Sequence, residues 1–456
     1  MKMEVEIISE ECIKPSSPTP PNLRTHKLSL LDQFIPSLYI PIILFYPMNQ
    51  STSHAVNVVD IVSQRSLMLK QSLSKTLTRF YPFAGKIKDN LSIDCNDEGA
   101  LYLEARANCL LVDYLNQPNV PSSLQTFLPQ EISWKQAIAG DHVAMIKVTS
   151  FACGGIAIGV LVSHMIADGT AMSVFLKGWA ASSAHKDCEH LCPNFDAPSV
   201  FIQSDAFSKE AAMAAFSKSF KSGNCIVRRF VFDASAIASL KAKATSSSVQ
   251  HPTRVEVVSA FLWKCTMTAF QATSGIQRPT FISHVVNLRR RANPPFTESS
   301  MGNIIWGTDA LCTAEEIDLA CMVSKLREAI MKINPDFVKS LQGDGGFFKL
   351  CEVFKARTGA LSSIECSGGM DYIAFTSWFN FGLYDIDFGW GKPMWVSTVG
   401  SSNDSEAMFP NTIILMDTRS GDGIEAWVSL DKKDMTIIAQ DKELLALATL
   451  DPSPIE

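Results

Sequence analysis

A chain of 456 residues is too long for one compact core, since domains usually hold ~100–200 residues, so two domains are expected. Hydrophobic residues make up 46% and charged residues 19%, which excludes a disordered chain. The net charge of -6 excludes a general binder of nucleic acid or of anionic membranes, so an anionic ligand needs a locally basic site.

The opening Met1-Lys2-Met3-Glu4-Val5-Glu6 is charged and has no apolar stretch, so no secretory signal is expected. The apolar runs 39–48, broken by Pro41 and Pro47, and 156–162 are too short for a bilayer, which takes ~20 residues. The 12 cysteines are irregularly spaced and need not pair, so a reduced, cytosolic protein is expected. Leu69, Leu73 and Leu77 recur at helical spacing and stop before Pro82. Strands are predicted over 144–151 and 156–162, the second buried because it is almost wholly apolar. Met172, Phe175, Leu176 and Trp179 then form the stripe of an amphipathic helix. From 182 to 224 Ser, Pro, Asp and Lys dominate, which reads as a crossover linker with a short Ala-rich helix around 209–216. Within it His185, Cys188, His190 and Cys192 crowd together. Zinc uses such ligands, but the spacing fits no common finger, so no metal is expected.

The second half restarts with a strand at 225–232, helices at 234–244 and 253–270, and a strand at 281–287. A helix at 315–332 follows, and the Gly-rich stretch 341–369 stays undecided. Strands at 394–399, 412–417 and 424–430 precede a C-terminal helix at 434–450. The pattern is mixed α/β with an N-terminal domain at 1–181, the linker at 182–224 and a C-terminal domain at 225–456.

Two words carry chemistry. VLVSHMIADG, at 160–169, ends a buried strand on His164 and turns to Asp168, where Gly169 permits a sharp bend before a helix. An imidazole at a strand end is suited to take a proton near neutral pH, and a carboxylate four residues on orients it or fixes its turn. The bland alternative is a satisfied core histidine, with Asp168 capping the helix that begins near Thr170. DFGWG, at 387–391, is far too specific for chance. Its glycines allow positive φ and its aromatic rings anchor a tight loop, so it reads as architecture. Cys153, in FACGG at 151–155, is the best alternative nucleophile, because Gly-rich turns can expose a thiol.

HxxxD in the first half and DFGWG near the C-terminus together resemble the plant BAHD acyltransferases, over essentially the whole chain. SKTLTRFYPFAG at 74–85, PIILFYP at 41–47, PTRVEV at 252–257 and VNLR at 286–289 add to the resemblance. SSPTP at 16–20 and LLDQ at 30–33 are similar to the branch that acetylates alkaloid alcohols. The resemblance implies an α/β fold of two similar-sized chloramphenicol-acetyltransferase-like domains, with mixed sheets and a channel at their interface. Strand exchange between them is expected within 371–395. It implies transfer of an acyl group, acetyl for this branch, from an acyl-CoA cosubstrate to a hydroxyl of a small alkaloid or terpenoid alcohol. No permanent cofactor and no metal are implied.

On this resemblance His164 matches the general base of a ternary complex, and Asp168 matches the residue that holds the turn, with Arg289 as its partner. Trp378 and then Thr376 match donors to the developing oxyanion. Asp387, Gly389 and Gly391 are structural. Arg290, Arg291 and Lys241 are candidates to hold CoA phosphates. Gly169 stands where the alkaloid branch tends to carry Ala or Val, which weakens the alkaloid assignment. A cytosolic monomer without nucleic-acid or membrane partners is expected. Competing readings are a ping-pong transferase or hydrolase on Cys153, or an inactive ligand-binding homologue.

Overall fold

The apolar run at 156–162 becomes the strand Ile156–Ser163, buried at every position, in a computed structural model that describes residues 3–48, 57–117, 120–131, 137–186, 191–210, 212, 220–313, 316–366, 369–398 and 408–455. Burial on both faces explains why it lacks the alternation of a half-exposed strand. Its sheet runs in the order Val5–Ile13, Ala100–Ala107, Ala144–Ser150, Ile156–Ser163, Tyr39–Tyr46, Trp395–Ser397. The pairings are antiparallel, except that Ala100–Ala107 lies parallel to Ala144–Ser150. Trp395–Ser397 thus comes from late in the chain to pair with Tyr39–Tyr46, Trp395 opposite Phe45.

A second sheet runs Ile305–Cys312, Thr280–Asn287, Asp371–Ser377, Thr412–Asp417, Ile424–Asp431, Cys225–Phe232, Thr449–Leu450. It is mixed as well, with Asp371–Ser377 parallel to both of its neighbours. The fold is therefore mixed α/β built on mixed sheets.

Helices cover these sheets. Val58–Arg79 buries Leu69, Leu73 and Leu77, and it lies against Gly169–Ser183. Trp179 fixes that crossing: its indole N–H is 3.1 Å from both the Leu69 carbonyl and the Ser72 hydroxyl. Arg254–Ser274 starts on a capping box, in which Thr253 and Glu256 each accept the other's backbone N–H.

Several predicted boundaries shift. The undecided stretch 341–369 holds the helix Gly346–Cys366. The single helix expected at 434–450 is instead two, Lys432–Ile438 and Lys442–Leu445, followed by a short strand. Asp431 and Asp441 each accept a backbone N–H at a helix start, so each begins its own helix. The helix expected near 315 begins at Leu319, where Asp318 caps it. Within the linker, Ala197–Val200 is helical and Phe220–Ser222 pairs with Met408–Pro410. Most of the helix expected at 209–216 lies outside the described residues, as do Cys188 and His190. Among the described residues no group of His, Cys, Asp and Glu could hold a metal ion. No helix among them is long and apolar enough to cross a membrane.

Candidate active site

Strand Ile156–Ser163 ends opposite Tyr39, and the chain turns at once. The His164 N–H donates to the Leu38 carbonyl at 2.7 Å. The His164 side chain is only partly buried, but its Nδ1 is buried and has no hydrogen-bond partner. Burial lowers the imidazole below its ordinary pKa of 6.5, against the charge of Asp168 and nearby polar groups, which favour the cation. The ring is therefore neutral at neutral pH, as a proton acceptor must be. His284, in the second sheet, shows what a satisfied core histidine looks like. Its Nε2 is 3.4 Å from the Ser259 hydroxyl, its Nδ1 is 3.0 Å from the Val285 carbonyl, and its ring stacks on Phe375. His164 Nδ1 has no partner within hydrogen-bond distance, although the Asn303 side chain and the Ala167 backbone lie near enough to favour the cation.

Asp168 is buried and faces away from solvent. Its Oδ1 accepts the Ala171 N–H at 2.8 Å, capping helix Gly169–Ser183. Arg289 grips both oxygens, at 2.7 and 3.1 Å, and is itself completely buried. The guanidinium also donates to the carbonyls of Ser300 (2.8 Å) and Gly302 (3.3 Å). Both members of the ion pair are satisfied, so the turn between His164 and the helix is held from the second sheet's side.

Trp378 follows strand Asp371–Ser377, and its backbone N–H donates to the Leu415 carbonyl at 2.8 Å. A Cβ placed on Gly169 would lie 3.2 Å from the Trp378 indole nitrogen and 2.7 Å from a ring carbon of Phe381. The indole thus rests on the first turn of the helix that Asp168 caps. The glycine is what leaves room for both rings. Gly169→Ala is expected to press on Phe381 and the indole and to cost about 1–3 kcal/mol of stability by overpacking. Denaturant titration checks this, and undiminished stability would show that the two rings give way without strain. Thr376 lies two residues earlier on the same strand, opposite Ile414, and is partly buried.

DFGWG sits at the other end of that helix, which has 15 residues and so spans ~22 Å. Asp387 Oδ1 accepts the N–H groups of Gly389 (2.8 Å) and Gly391 (2.9 Å), both glycines at positive φ. Lys186, just past the helix, lies 3.7 Å from the other oxygen. Burial opposes the charge, but these donors hold the Asp387 carboxyl below its ordinary range. Phe388 is buried among Trp179, Tyr46 and Trp390. The loop thus fastens the segment before Trp395–Ser397 to the first sheet and its helices.

The model of the transferase family matches residues 3–445. Epi-neemfruitin B 7-O-acetyltransferase of Melia azedarach is 53% identical over 99% of this chain and 100% of its own length. Limonoid 7-O-acetyltransferase of Citrus sinensis is 52% identical, with the same coverage. The crystal structure of vinorine synthase superposes with a TM-score of 0.78 at 35% identity, covering 97% of this chain and 98% of that one. The chain belongs to the BAHD acyltransferase family.

In this BAHD acyltransferase Cys153 lies in the turn before strand Ile156–Ser163, and His164 follows that strand's far end. Eight strand residues separate the two ends by ~26 Å. The thiol accepts the Leu111 N–H at 3.4 Å, well away from the HxxxD turn. The basic spots are unequally available. Arg291 donates to the Ile333 carbonyl at 2.7 Å, and Arg229 is buried against Glu425. Arg290 has 84% of its side chain exposed beside Glu298, and Lys241 is partly exposed in the last turn of helix Ala234–Ala244.

Sequence reasoning missed Asn303 and Asp32. Asn303 is fully buried, and its Nδ2 donates to the His164 carbonyl at 2.7 Å. No motif marks it. Asp32 was within reach, because Ser29-Leu30-Leu31-Asp32 has capping-box spacing.

Proposed function

We propose that the chain transfers an acetyl group from acetyl-CoA to a hydroxyl of a limonoid-type terpenoid. Its acyltransferase class follows from the family; the acceptor is carried by one observation, that two relatives more than 50% identical over nearly the whole chain are named for 7-O-acetylation. His164 takes the alcohol proton as the oxygen attacks the thioester carbonyl. Trp378, with Thr376 beside it, donates to the oxyanion that forms. The tetrahedral intermediate collapses, CoA leaves as thiolate, and the imidazolium returns the proton to it. Asp168 and Arg289 hold the turn, while Asp387, Gly389 and Gly391 hold the distant loop.

We take 1–181 and 225–456 as two domains joined through 182–224, with His164 at their seam. Arg290 and Lys241 are the candidates for the CoA phosphates, since Arg291 is occupied by helix-end carbonyls. We take the protein as a cytosolic monomer; the free cysteines among the described residues fit the reducing compartment.

The test is incubation of acetyl-CoA with limonoid, other terpenoid and alkaloid alcohols, read by mass spectrometry. Transfer to a limonoid-type hydroxyl is expected; transfer to alkaloid alcohols alone would overturn the acceptor assignment. A stable acyl adduct on Cys153 with acetyl-CoA alone would favour the ping-pong route instead.

The pH dependence has a definite sign. Catalysis needs neutral His164, whose pKa in the fold lies below 6.5. The acid limb of kcat/KM is therefore expected to be centred below 6.5. Between the two pKa values the unfolded chain binds more protons, so His164 also makes the fold less stable as pH falls through that window. An acid limb centred above 6.5 would contradict a buried, neutral base.

A further inference from the structure

Asp32 is a fully buried carboxylate with donors on both oxygens. Oδ2 accepts the Ser29 N–H at 2.9 Å and its hydroxyl at 2.6 Å. These bonds close the capping box of the short helix Leu30–Phe34 and need only that one oxygen. Oδ1 faces elsewhere, accepting the Asn303 N–H at 2.7 Å and the Asn303 Nδ2 at 2.8 Å. The same Nδ2 donates to the His164 carbonyl at 2.7 Å. The amide therefore spends its two N–H groups on a carboxylate and on the peptide that carries the base. Asn303 Oδ1 is left buried without a partner. Flipping the amide would aim that oxygen at two acceptors, so the orientation is fixed by what Nδ2 must reach.

The neighbouring residues hold the other end of the same turn. The Ile304 N–H donates to Asp168 at 3.1 Å, Gly302 bridges Ala167, and Ser300 and Gly302 accept from Arg289. We infer that Asp32 and Asn303 are positioning residues for His164, a second clamp that sets the direction of its Cα–Cβ bond from the carbonyl side. The inference rests on His164 as the base. Among the described residues no salt bridge reaches Asp32, although the charge of the buried Lys209 acts on it, and burying such a carboxylate costs stability, which a helix cap alone would not require.

The experiment compares Asn303→Ala with the double variant Asp32→Asn/Asn303→Ala. Asn303→Ala is expected to lower kcat by ~10²-fold, the scale of a misplaced catalytic group, with KM for acetyl-CoA unchanged. The double variant removes the buried charge together with the clamp: the amide oxygen at position 32 can still accept the N–H of residue 303 and its NH2 can reach the Ser29 hydroxyl, but no side-chain N–H remains for the His164 carbonyl. Its stability towards denaturant is expected to return part of the way to native while kcat stays low. A double variant that recovers kcat along with stability would reduce the pair to a structural tie and overturn the inference. So would native kcat in Asn303→Ala, or the failure of both variants to fold. His164→Ala, assayed alongside, tests the underlying reading separately: activity there removes the base, whereas activity in Asn303→Ala removes only the clamp.

Discussion

His164→Ala is expected to slow acetyl transfer by ~10²–10⁴-fold, the usual worth of a positioned general base, while the protein stays folded. The two halves of that result have separate causes. The imidazole nitrogen at Nδ1 has no partner, so its removal breaks no hydrogen bond of the fold there. The backbone of the turn is held by other groups, through the His164 N–H on Leu38 and the Asn303 amide on the His164 carbonyl. What disappears is the acceptor for the alcohol proton. Binding of CoA, measured by calorimetry, should be unchanged. Full activity in the variant would refute the base, and loss of CoA binding would mean that the ring supports the donor site instead.

Arg289→Met has the largest expected effect on stability. The guanidinium is completely buried and holds both Asp168 oxygens, so removing it strands a carboxylate in the interior. Breaking such a pair from one side costs about 3–5 kcal/mol, because the remaining charge keeps its desolvation penalty with only the Ala171 and Ile304 N–H groups to offset it. Adding Asp168→Asn should recover part of that loss, since a buried amide is cheaper than a lone carboxylate. Denaturant titration of the single and double variants measures both steps. Activity should stay low in both, because the turn bearing His164 has lost its brace. An Arg289→Met protein as stable as the native one would show that the pair does not hold the turn.

Much of this site can be read from sequence, but by different routes. His164 is legible from the residues themselves, as an imidazole after an apolar strand. The partnership of Asp168 with Arg289 is not, since nothing in spacing links the two positions; the family resemblance alone suggests it. Asn303 is invisible either way of reading the local pattern, because a single amide after a glycine carries no periodicity. Its importance comes from a contact between residues brought together only by the fold. Strand boundaries follow the same division. Ile156–Ser163 announces itself by being apolar throughout, whereas Val5–Ile13, a mostly exposed edge strand rich in Glu, does not. The helix expected at 434–450 fails for a local reason that was present in the sequence: two aspartates, each able to start a helix of its own.

The pairing of Trp395 with Phe45 also bears on how the protein is made. During synthesis the apolar strand Tyr39–Tyr46 emerges early, and one of its edges waits for Trp395–Ser397 until almost the whole chain has left the ribosome. An unpaired apolar edge is a template for association with other chains. Heterologous expression should therefore gain more from slower translation or chaperone supply than from any change near His164, and release of chains that stop before Trp395 should give aggregates rather than a folded N-terminal half.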